Sequence, residues 1–290
     1  VKGGVDQEPV VREDVGDEMR PTVFLHPCDT DLAIATVSIG HRPWFKDLLL
    51  PRLQQYAAKT RADLVVAAGE VAASMLIDNH CPPTTPPSDG TLSTGKDAKL
   101  RLLSMLLQHY TRVFIIDDTV AIRRDAPNLF HIVPPHKLGA AVEDHRIRSN
   151  DTNTALAQLA CLRYSANCTD NLWFNTGVLL ASQRHRDMLT TATTTSQPHL
   201  DHLLLWDQGL LNAARHKTNT PLHPLGYEWN WVGSFHGTNK DRQPFPPHDA
   251  FFVHATTGLP DPTPEGRRSF LRGVIQQWER GGGEEVTVEF

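Results

Sequence analysis

The feature that most constrains the fold is a continuous apolar run over residues 32–39, rich in β-branched residues and followed by Gly40. Such a run is typical of a strand covered on both faces, because a solvated face would show alternating polar residues. Apolar residues at helical spacing follow over residues 44–59, with Pro51 inside the pattern, and a second apolar strand spans residues 63–66. Strand, helix and strand with short connections predict a βαβ unit, so we expect a parallel sheet in this half of the chain.

The alternation of helical and strand patterns continues beyond this unit. Helical spacing resumes at Lys96 and leads to a buried strand at residues 113–116. Further strands are predicted at residues 178–180 and 251–253, and further helices at residues 200–214 and 270–278. The pattern indicates an α/β fold with a mostly parallel central sheet flanked by helices.

The predicted domain organisation is simple. Residues 1–21 carry many acids and few large apolar side chains, which predicts a loose acidic leader. A single domain is expected over residues 22–280, followed by a short tail at 281–290. Within the domain, the Pro- and Gly-rich residues 81–95 predict a long surface loop, and the polar residues 144–171 predict irregular structure.

The composition excludes several classes of protein. With 28 Lys and Arg against 33 Asp and Glu, the net charge of −5 argues against a protein that binds nucleic acid through a basic surface. No apolar run approaches the ~20 residues of a membrane span, so we expect no span in this chain. The four cysteines form no Cys-x-x-Cys pair, which makes a zinc site built on sulfur an unfavoured interpretation.

Two cysteines and two sequence tripeptides bear on localisation. Cys161 and Cys168 lie in a polar stretch, where a local disulfide and two reduced thiols are equally compatible with the sequence. Asn150 and Asn167 each begin an N-glycosylation tripeptide. These features favour the Golgi or ER lumen, or another part of the secretory pathway, with the cytoplasm as the alternative.

The most informative polar residues follow the strand at residues 113–116. Asp117, Asp118 and Thr119 come directly after it, at the end of a strand where α/β folds bind ligands. Clustered oxygen donors of this kind suit Mg²⁺ or Mn²⁺ bridging the diphosphate of a substrate, because these ions keep open positions for phosphate oxygens. The cluster therefore predicts a diphosphate-binding metal site.

Together with Asp125, Leu129 and Phe130, this segment resembles the Asp-x-Asp region of GT-A fold glycosyltransferases, especially those of family 8. In that family the motif holds Mn²⁺ and the diphosphate of a nucleotide sugar. The alignment puts the first family aspartate on Asp117, the middle residue on Asp118 and the second aspartate on Thr119. Since a hydroxyl is a weaker ligand than a carboxylate, three alternatives are open: Asp118 supplies the charge, Thr119 binds through water, or the metal affinity is reduced.

Three further segments resemble the family in its own order. Asn175, Thr176 and Gly177 match a box whose asparagine lies near the donor sugar and the acceptor, and Asp207 and Gln208 match a box at the reactive face of the sugar. A third box contributes His254, and the resemblance implies that its ring is a metal ligand beside Asp117 and Thr119. One extra residue before Gly258 and the absence of a following Lys-Pro-Trp depart from the family pattern.

The resemblance also implies residues that bind the donor. The family has a basic residue on the helix before the metal strand, here Lys99, with Arg101 as the alternative. The rest of the expected donor site comprises Thr36, Val37 and Ser38 at the end of the first strand, around the base. His41 and Arg42 follow this strand and are expected beside the base or diphosphate.

The implied function is that of a nucleotide-sugar-dependent hexosyl- or pentosyltransferase with a GT-A, Rossmann-like fold. It would move a sugar from a UDP- or GDP-sugar to a hydroxyl of a glycan or protein with Mn²⁺ or Mg²⁺, and retention of the anomeric configuration is implied by the resemblance alone. A catalytically silent nucleotide-sugar or glycan-binding protein is the alternative. A haloacid-dehalogenase phosphatase is disfavoured, because Ile116 stands where that family has its nucleophilic aspartate.

Overall fold

The computed structural model of the protein describes residues 30–38, 42, 44–68, 95–143, 149–164, 166–195, 207–232, 249–256, 259 and 261–280. The predicted leader at 1–21, the tail at 281–290, His41, Gly258 and nearly all of the predicted loop at 81–95 lie outside these described residues. The division into leader, domain and tail therefore stays a prediction.

Nine strands and seven α-helices cover most of the described residues. The strands are β1 (Leu32–Ser38), β2 (Asp63–Ala68), β3 (Arg112–Ile116), β4 (Val120–Ile122), β5 (Leu138–Val142), β6 (Phe174–Ser182), β7 (Leu222–Leu225), β8 (Trp231–Val232) and β9 (Phe252–His254). The α-helices are α1 (Leu50–Thr60), α2 (Gly95–Leu106), α3 (Leu129–Ile132), α4 (Asn150–Arg163), α5 (Arg186–Thr195), α6 (Asp207–Lys217) and α7 (Pro264–Glu279). A π-helical turn at Phe45–Leu49 leads directly into α1, and Pro51 lies in the first turn of α1, where its missing N–H is no loss.

The strands form two sheets. The larger has the order β2-β1-β3-β6-β5-β7, and the smaller has the order β4-β9-β8. The pairs β2-β1, β1-β3 and β5-β7 are parallel, whereas β6 runs antiparallel to both of its neighbours. The prediction of a mostly parallel central sheet flanked by helices is confirmed.

Alternate residues of the central strands pack against opposite layers of the molecule. Ile34 and Phe114 belong to an apolar cluster that includes residues of α1, α7 and the small sheet. Ala33 and Val113 belong to a second cluster with residues of α2, α4, α5 and α6. Burial on both faces explains why β1 and β3 are continuous apolar runs in the sequence.

One sequence prediction was wrong: residues 144–171 are not irregular throughout, because α4 occupies Asn150–Arg163. Ser149 caps this helix by accepting a hydrogen bond from the N–H of Thr152. Its buried residues are Asn153, Ala157, Ala160 and Cys161, which have helical spacing but are small or polar. The helix was missed in the sequence because helical periodicity is recognised from strongly apolar residues, and none of the buried residues of α4 is strongly apolar.

The cysteine alternative is decided in favour of a disulfide between Cys161 and Cys168. It joins the last turn of α4 to the segment that leads into β6. The described part of the chain contains no helix that is both long enough and apolar enough to cross a bilayer.

His185, in the turn after β6, makes the stability of the folded protein depend on pH. His185 is 2% exposed, and its Nδ1 accepts a hydrogen bond from the N–H of Ser182. Burial lowers the pKa of His185 to about 4, and the charges of Arg112 and Arg184 also lower it. The unfolded chain therefore binds a proton between pH 6.5 and 4 that the folded chain does not, so stability falls as the pH falls through this window.

We expect the free energy of unfolding to fall by about 2 kcal/mol between pH 7 and pH 5 because of this group. His185→Gln should remove that part of the pH dependence in urea titrations at the two pH values. His109→Gln changes an exposed histidine and is the control. An unaltered pH dependence in His185→Gln would contradict the assignment.

Candidate active site

Four polar segments meet at one edge of the central sheet. Asp117 follows the last residue of β3, and its N–H donates to the carbonyl of Gly177 near the start of β6. These segments are adjacent because β6 is antiparallel to β3, which brings its beginning to the carboxyl end of β3. Asp207 begins α6, and His254 ends β9 opposite Val120. The topology therefore brings together four segments that are far apart in the sequence.

Lys99 lies at the centre of this arrangement. Its Nζ is 2.9 Å from Asp117 Oδ1 and 2.7 Å from Asp207 Oδ2, and it also donates to the carbonyl of Thr176 at 3.0 Å. Burial alone would lower the pKa of Lys99, but Asp117 and Asp207 raise it above its usual value. The ammonium group stays charged and holds the two carboxylates in place. The alternative, Arg101, is exposed on the same helix.

Asp118 is held by residues that precede the π-helical turn. Arg42 Nε donates to Asp118 Oδ2 at 3.1 Å, and the indole N–H of Trp44 donates to the carbonyl of Asp118 at 3.0 Å. Burial raises the pKa of Asp118 to about 6; Arg42 opposes this shift and the charge of Asp117 adds to it. The side chain of Asp118 is therefore bound to a cation of the protein.

Asp117 and His254 have the geometry of two ligands for one ion. His254 Nε2 lies 3.6 Å from Asp117 Oδ2, a separation that suits two ligands with bonds of roughly 2.0–2.2 Å. Burial lowers the pKa of His254 to about 4, so its ring is neutral at pH 7 and has a lone pair for a metal. Thr119 is buried one residue before β4, and its carbonyl accepts a hydrogen bond from the N–H of Ala255. A divalent cation thus fits between Asp117 and His254.

Asn175, Gln208 and Glu143 form a second part of the site. Glu143 Oε1 accepts hydrogen bonds from Gln208 Nε2 at 2.9 Å and from Asn175 Nδ2 at 3.2 Å. Asp207 accepts a hydrogen bond from the hydroxyl of Thr176 at 2.9 Å, which joins this part to Lys99. A polar cluster that is buried and connected in this way can orient the hydroxyl groups of a sugar.

The residues expected around the base lie at the end of β1. Thr36 and Ser38 are buried and Val37 is half-buried, one strand away from Asp117. Arg42 is more exposed, with 34% of its side chain accessible, and stacks 5.5 Å from the ring of Trp44. The end of β1 and Arg42 therefore lie next to the segment that contains Asp117 and Asp118.

Two residues of the site were missed in the sequence. Glu143 directly follows the buried strand β5, the same signal that drew attention to Asp117 after β3. Asn230 is fully buried and donates to Asn175 Oδ1 at 2.8 Å, but it lies between the turn at Tyr227–Trp229 and β8, in a segment whose aromatic residues carry the sequence signal. Glu143 could have been found by its position, whereas Asn230 could not.

Among the described residues, three potential metal ligands also meet at Cys161, Cys168 and His216. This cluster does not suit a metal ion, because the two sulfurs are joined in a disulfide and a metal binds the thiolate.

Comparison with known proteins identifies a family that this chain matches. Residues 63–257 match the model of the family described as glycosyl transferase family 8. The search of curated proteins found no match to the chain.

Solved glycosyltransferases share the fold at low sequence identity. An active-site mutant of LgtC has a TM-score of 0.51 and 15% identity, over 83% of this chain and 95% of that one. The apo structure of the bifunctional glycosyltransferase WbbM has a TM-score of 0.52 and 12% identity, over 87% of this chain and 52% of that one. These likenesses establish the GT-A fold.

Proposed function

The chain belongs to glycosyl transferase family 8 and is a glycosyltransferase, and we propose that it moves a sugar from a nucleotide-diphosphate sugar to an acceptor hydroxyl with a divalent cation. The donor is a UDP- or GDP-sugar, and the acceptor is a glycan or a protein. Whether the sugar is a hexose or a pentose depends on loops around the site. We propose retention of the anomeric configuration on the resemblance to the family alone.

One observation carries this proposal: Lys99 is bonded both to Asp117 and to Asp207, at 2.9 and 2.7 Å. Asp117 belongs to the part of the site suited to a diphosphate, and Asp207 to the part suited to a sugar. A buried ammonium that joins the two fixes their separation. An enzyme that breaks the bond between a sugar and a diphosphate needs this fixed separation, because the sugar and the leaving diphosphate must be held at defined positions relative to each other.

The residues have separate roles in this proposal. Asp117 and His254 would hold Mn²⁺ or Mg²⁺, with Thr119 or Asp118 as the further ligand, and the cation would neutralise the charge of the departing diphosphate. Arg42, which is partly exposed, is suited to the same phosphates. Asp207 and Gln208 would contact the donor sugar, and Asn175 the sugar or the acceptor. Lys99 orients Asp117 and Asp207.

The proposal is tested with a panel of UDP- and GDP-sugars, with and without Mn²⁺, by measuring release of the nucleoside diphosphate. At least one donor should be hydrolysed slowly in the absence of acceptor, and chelation of the cation should abolish the release. An active donor whose turnover is unchanged by chelation would contradict the metal assignment while supporting glycosyl transfer.

A catalytically silent binding protein is the second candidate. It is supported by Thr119, which stands in place of a carboxylate, and by Asp118, whose carboxylate is bonded to Arg42. Both features weaken the negative charge available to a cation. Binding of a nucleotide sugar that is independent of Mn²⁺, with no turnover of any donor, would favour this alternative.

The departure at Thr119 gives a direct test of the metal site. Thr119→Asp should tighten Mn²⁺ binding by roughly tenfold, because a carboxylate within ~4 Å of the cation adds an attraction of a few kcal/mol at most in a partly dry cleft. Calorimetric titration of Mn²⁺ with donor nucleotide present measures the change. Thr190→Asp adds the same charge at an exposed helical position and is the control. Equal affinity in Thr119→Asp and the wild type would mean that residue 119 points away from the ion and that Asp118 is the principal ligand.

The Cys161–Cys168 disulfide supports the expectation of an oxidising compartment, because structural disulfides persist in the secretory pathway and are rare in the cytosol. Localisation to the Golgi or ER lumen, or elsewhere along that route, therefore stays the favoured proposal.

A further inference from the structure

A chain of hydrogen bonds connects the sugar part of the site to His254. It begins at a group whose role is unambiguous, the backbone N–H of Gly177, which donates to the side chain of Asn175 at 2.8 Å. A backbone N–H is always a donor, so the Asn175 atom that faces it must be the carbonyl oxygen Oδ1. The orientation of the Asn175 amide is thereby determined by the backbone of β6.

Glu143 reinforces this orientation from the other side. With Oδ1 of Asn175 facing Gly177, its Nδ2 faces Glu143 Oε1 at 3.2 Å. The carboxylate also accepts from Gln208 Nε2 at 2.9 Å. An ionised carboxylate is only an acceptor, so it favours the same Asn175 orientation as the backbone does.

The orientation of the Asn175 amide determines the orientation of the Asn230 amide, which in turn determines the tautomer of His254. Because Asn175 Oδ1 is an acceptor, the Asn230 atom 2.8 Å away must be its donor, Nδ2. The opposite atom of that amide, Asn230 Oδ1, is then the one that lies 3.1 Å from His254 Nδ1. An acceptor at this position requires the hydrogen on Nδ1, which leaves a lone pair on Nε2 of the neutral ring.

The structure thus points to Asn175 and Asn230 as positioning residues that hold His254 as the Nδ1–H tautomer, and we infer that this hydrogen-bond chain prepares Nε2 to bind a cation beside Asp117. The role of this chain in cation binding rests on the proposed function, whereas the hydrogen bonds that fix the tautomer do not. In the other tautomer, Nε2–H would face Asp117 Oδ2 at 3.6 Å and would occupy the position that a cation needs. In metal-binding histidines, the hydrogen-bond partner of one ring nitrogen usually determines that the other nitrogen is free to bind the metal.

Gly177 provides the space that the chain requires. A Cβ atom at this position would come within 2.6 Å of His254 Nδ1 and 2.9 Å of Asn175 Oδ1. Both distances are shorter than side chains tolerate, so a larger residue would displace the ring or the amide. The glycine therefore keeps the histidine close to Asn230.

The tautomer is read directly in the metal-free protein by ¹⁵N NMR of the histidine side chains at pH 7.5, with His254→Gln identifying the signal. We expect the hydrogen on Nδ1 of His254. This measurement needs no donor sugar and, apart from His254→Gln, no other variant. A wild-type protein that carries the hydrogen on Nε2 would overturn the inference.

Asn230→Leu removes the acceptor while keeping a similar volume. We expect the His254 hydrogen to move to Nε2, where it can donate to Asp117, and Mn²⁺ affinity measured by electron paramagnetic resonance to fall by roughly 10- to 100-fold. Thr60→Val is the control, because Thr60 is also a buried polar residue but its hydroxyl donates to the carbonyl of Tyr56 within α1, and its loss should leave the tautomer unchanged.

An Asn230→Leu protein that keeps the wild-type tautomer, or that changes tautomer without any loss of Mn²⁺ affinity, would overturn the inference. If this variant does not fold, the wild-type spectrum still decides the question. A wild-type protein with the Nδ1–H tautomer that turns over no donor would support the inference and contradict the proposed function.

Discussion

Replacement of Lys99 by methionine is expected to lower the free energy of unfolding by roughly 3–5 kcal/mol, because it leaves two carboxylates without their shared cation in a buried site. The Nζ atom of Lys99 is bonded to Asp117 and Asp207, and the residue is 8% exposed. Methionine has a similar length and fills the same space, so the loss of charge dominates. Urea denaturation at pH 7 in the presence of a chelator measures the effect.

Arg101→Met is the matched control, since it removes a cation from an exposed position two residues further along α2. Its effect should stay within about 0.5 kcal/mol. Equal and small effects of the two substitutions would show that water reaches Lys99, and its assignment as the buried link between Asp117 and Asp207 would be wrong.

Asp207→Asn is expected to lower kcat by on the order of 10²-fold or more, because it removes a charge next to the reacting sugar while keeping the size of the side chain. The amide oxygen can still accept the hydrogen bond from the hydroxyl of Thr176, and Asp117 still balances the charge of Lys99. The loss of stability should therefore be smaller than that of Lys99→Met. Initial rates with the donor found to be active, together with thermal unfolding, separate the two effects.

The control for this change is Asp187→Asn, which alters an exposed aspartate in the first turn of another helix. It should leave kcat unchanged. If Asp207→Asn keeps full kcat, or loses activity only because it unfolds at the assay temperature, Asp207 has a structural role.

Much of the architecture could be predicted from local pattern. β1 and β3 were recognisable because a strand buried on both faces must be apolar throughout, and the C-terminal helix was recognisable from its spaced apolar residues. α4 was missed because its buried residues, such as Asn153 and Ala157, are polar or small. The antiparallel direction of β6 was also beyond local pattern, because strand direction depends on the path of the chain between strands.

The candidate site was predicted as a set of separate motifs. The order of these motifs indicated the family, and the match over residues 63–257 confirms it. Their roles stay predictions, but several of the residues are in contact. The choice between Lys99 and Arg101 could not be made from the sequence, because both are basic residues on one helix and only burial distinguishes them.

By itself, the sequence determined that β1 and β3 are buried strands, which family the motifs indicate and which acids follow the strand that ends at Ile116, because these properties depend on neighbours along the chain. Only the tertiary structure decided that Asp118 is bonded to Arg42, that Lys99 joins Asp117 to Asp207, and that Asn230 lies between Asn175 and His254. The last connection spans residues 55 and 24 positions apart in the sequence. Hydrogen bonds over such separations depend on how the two sheets pack, and no local pattern encodes the direction in which a buried amide points.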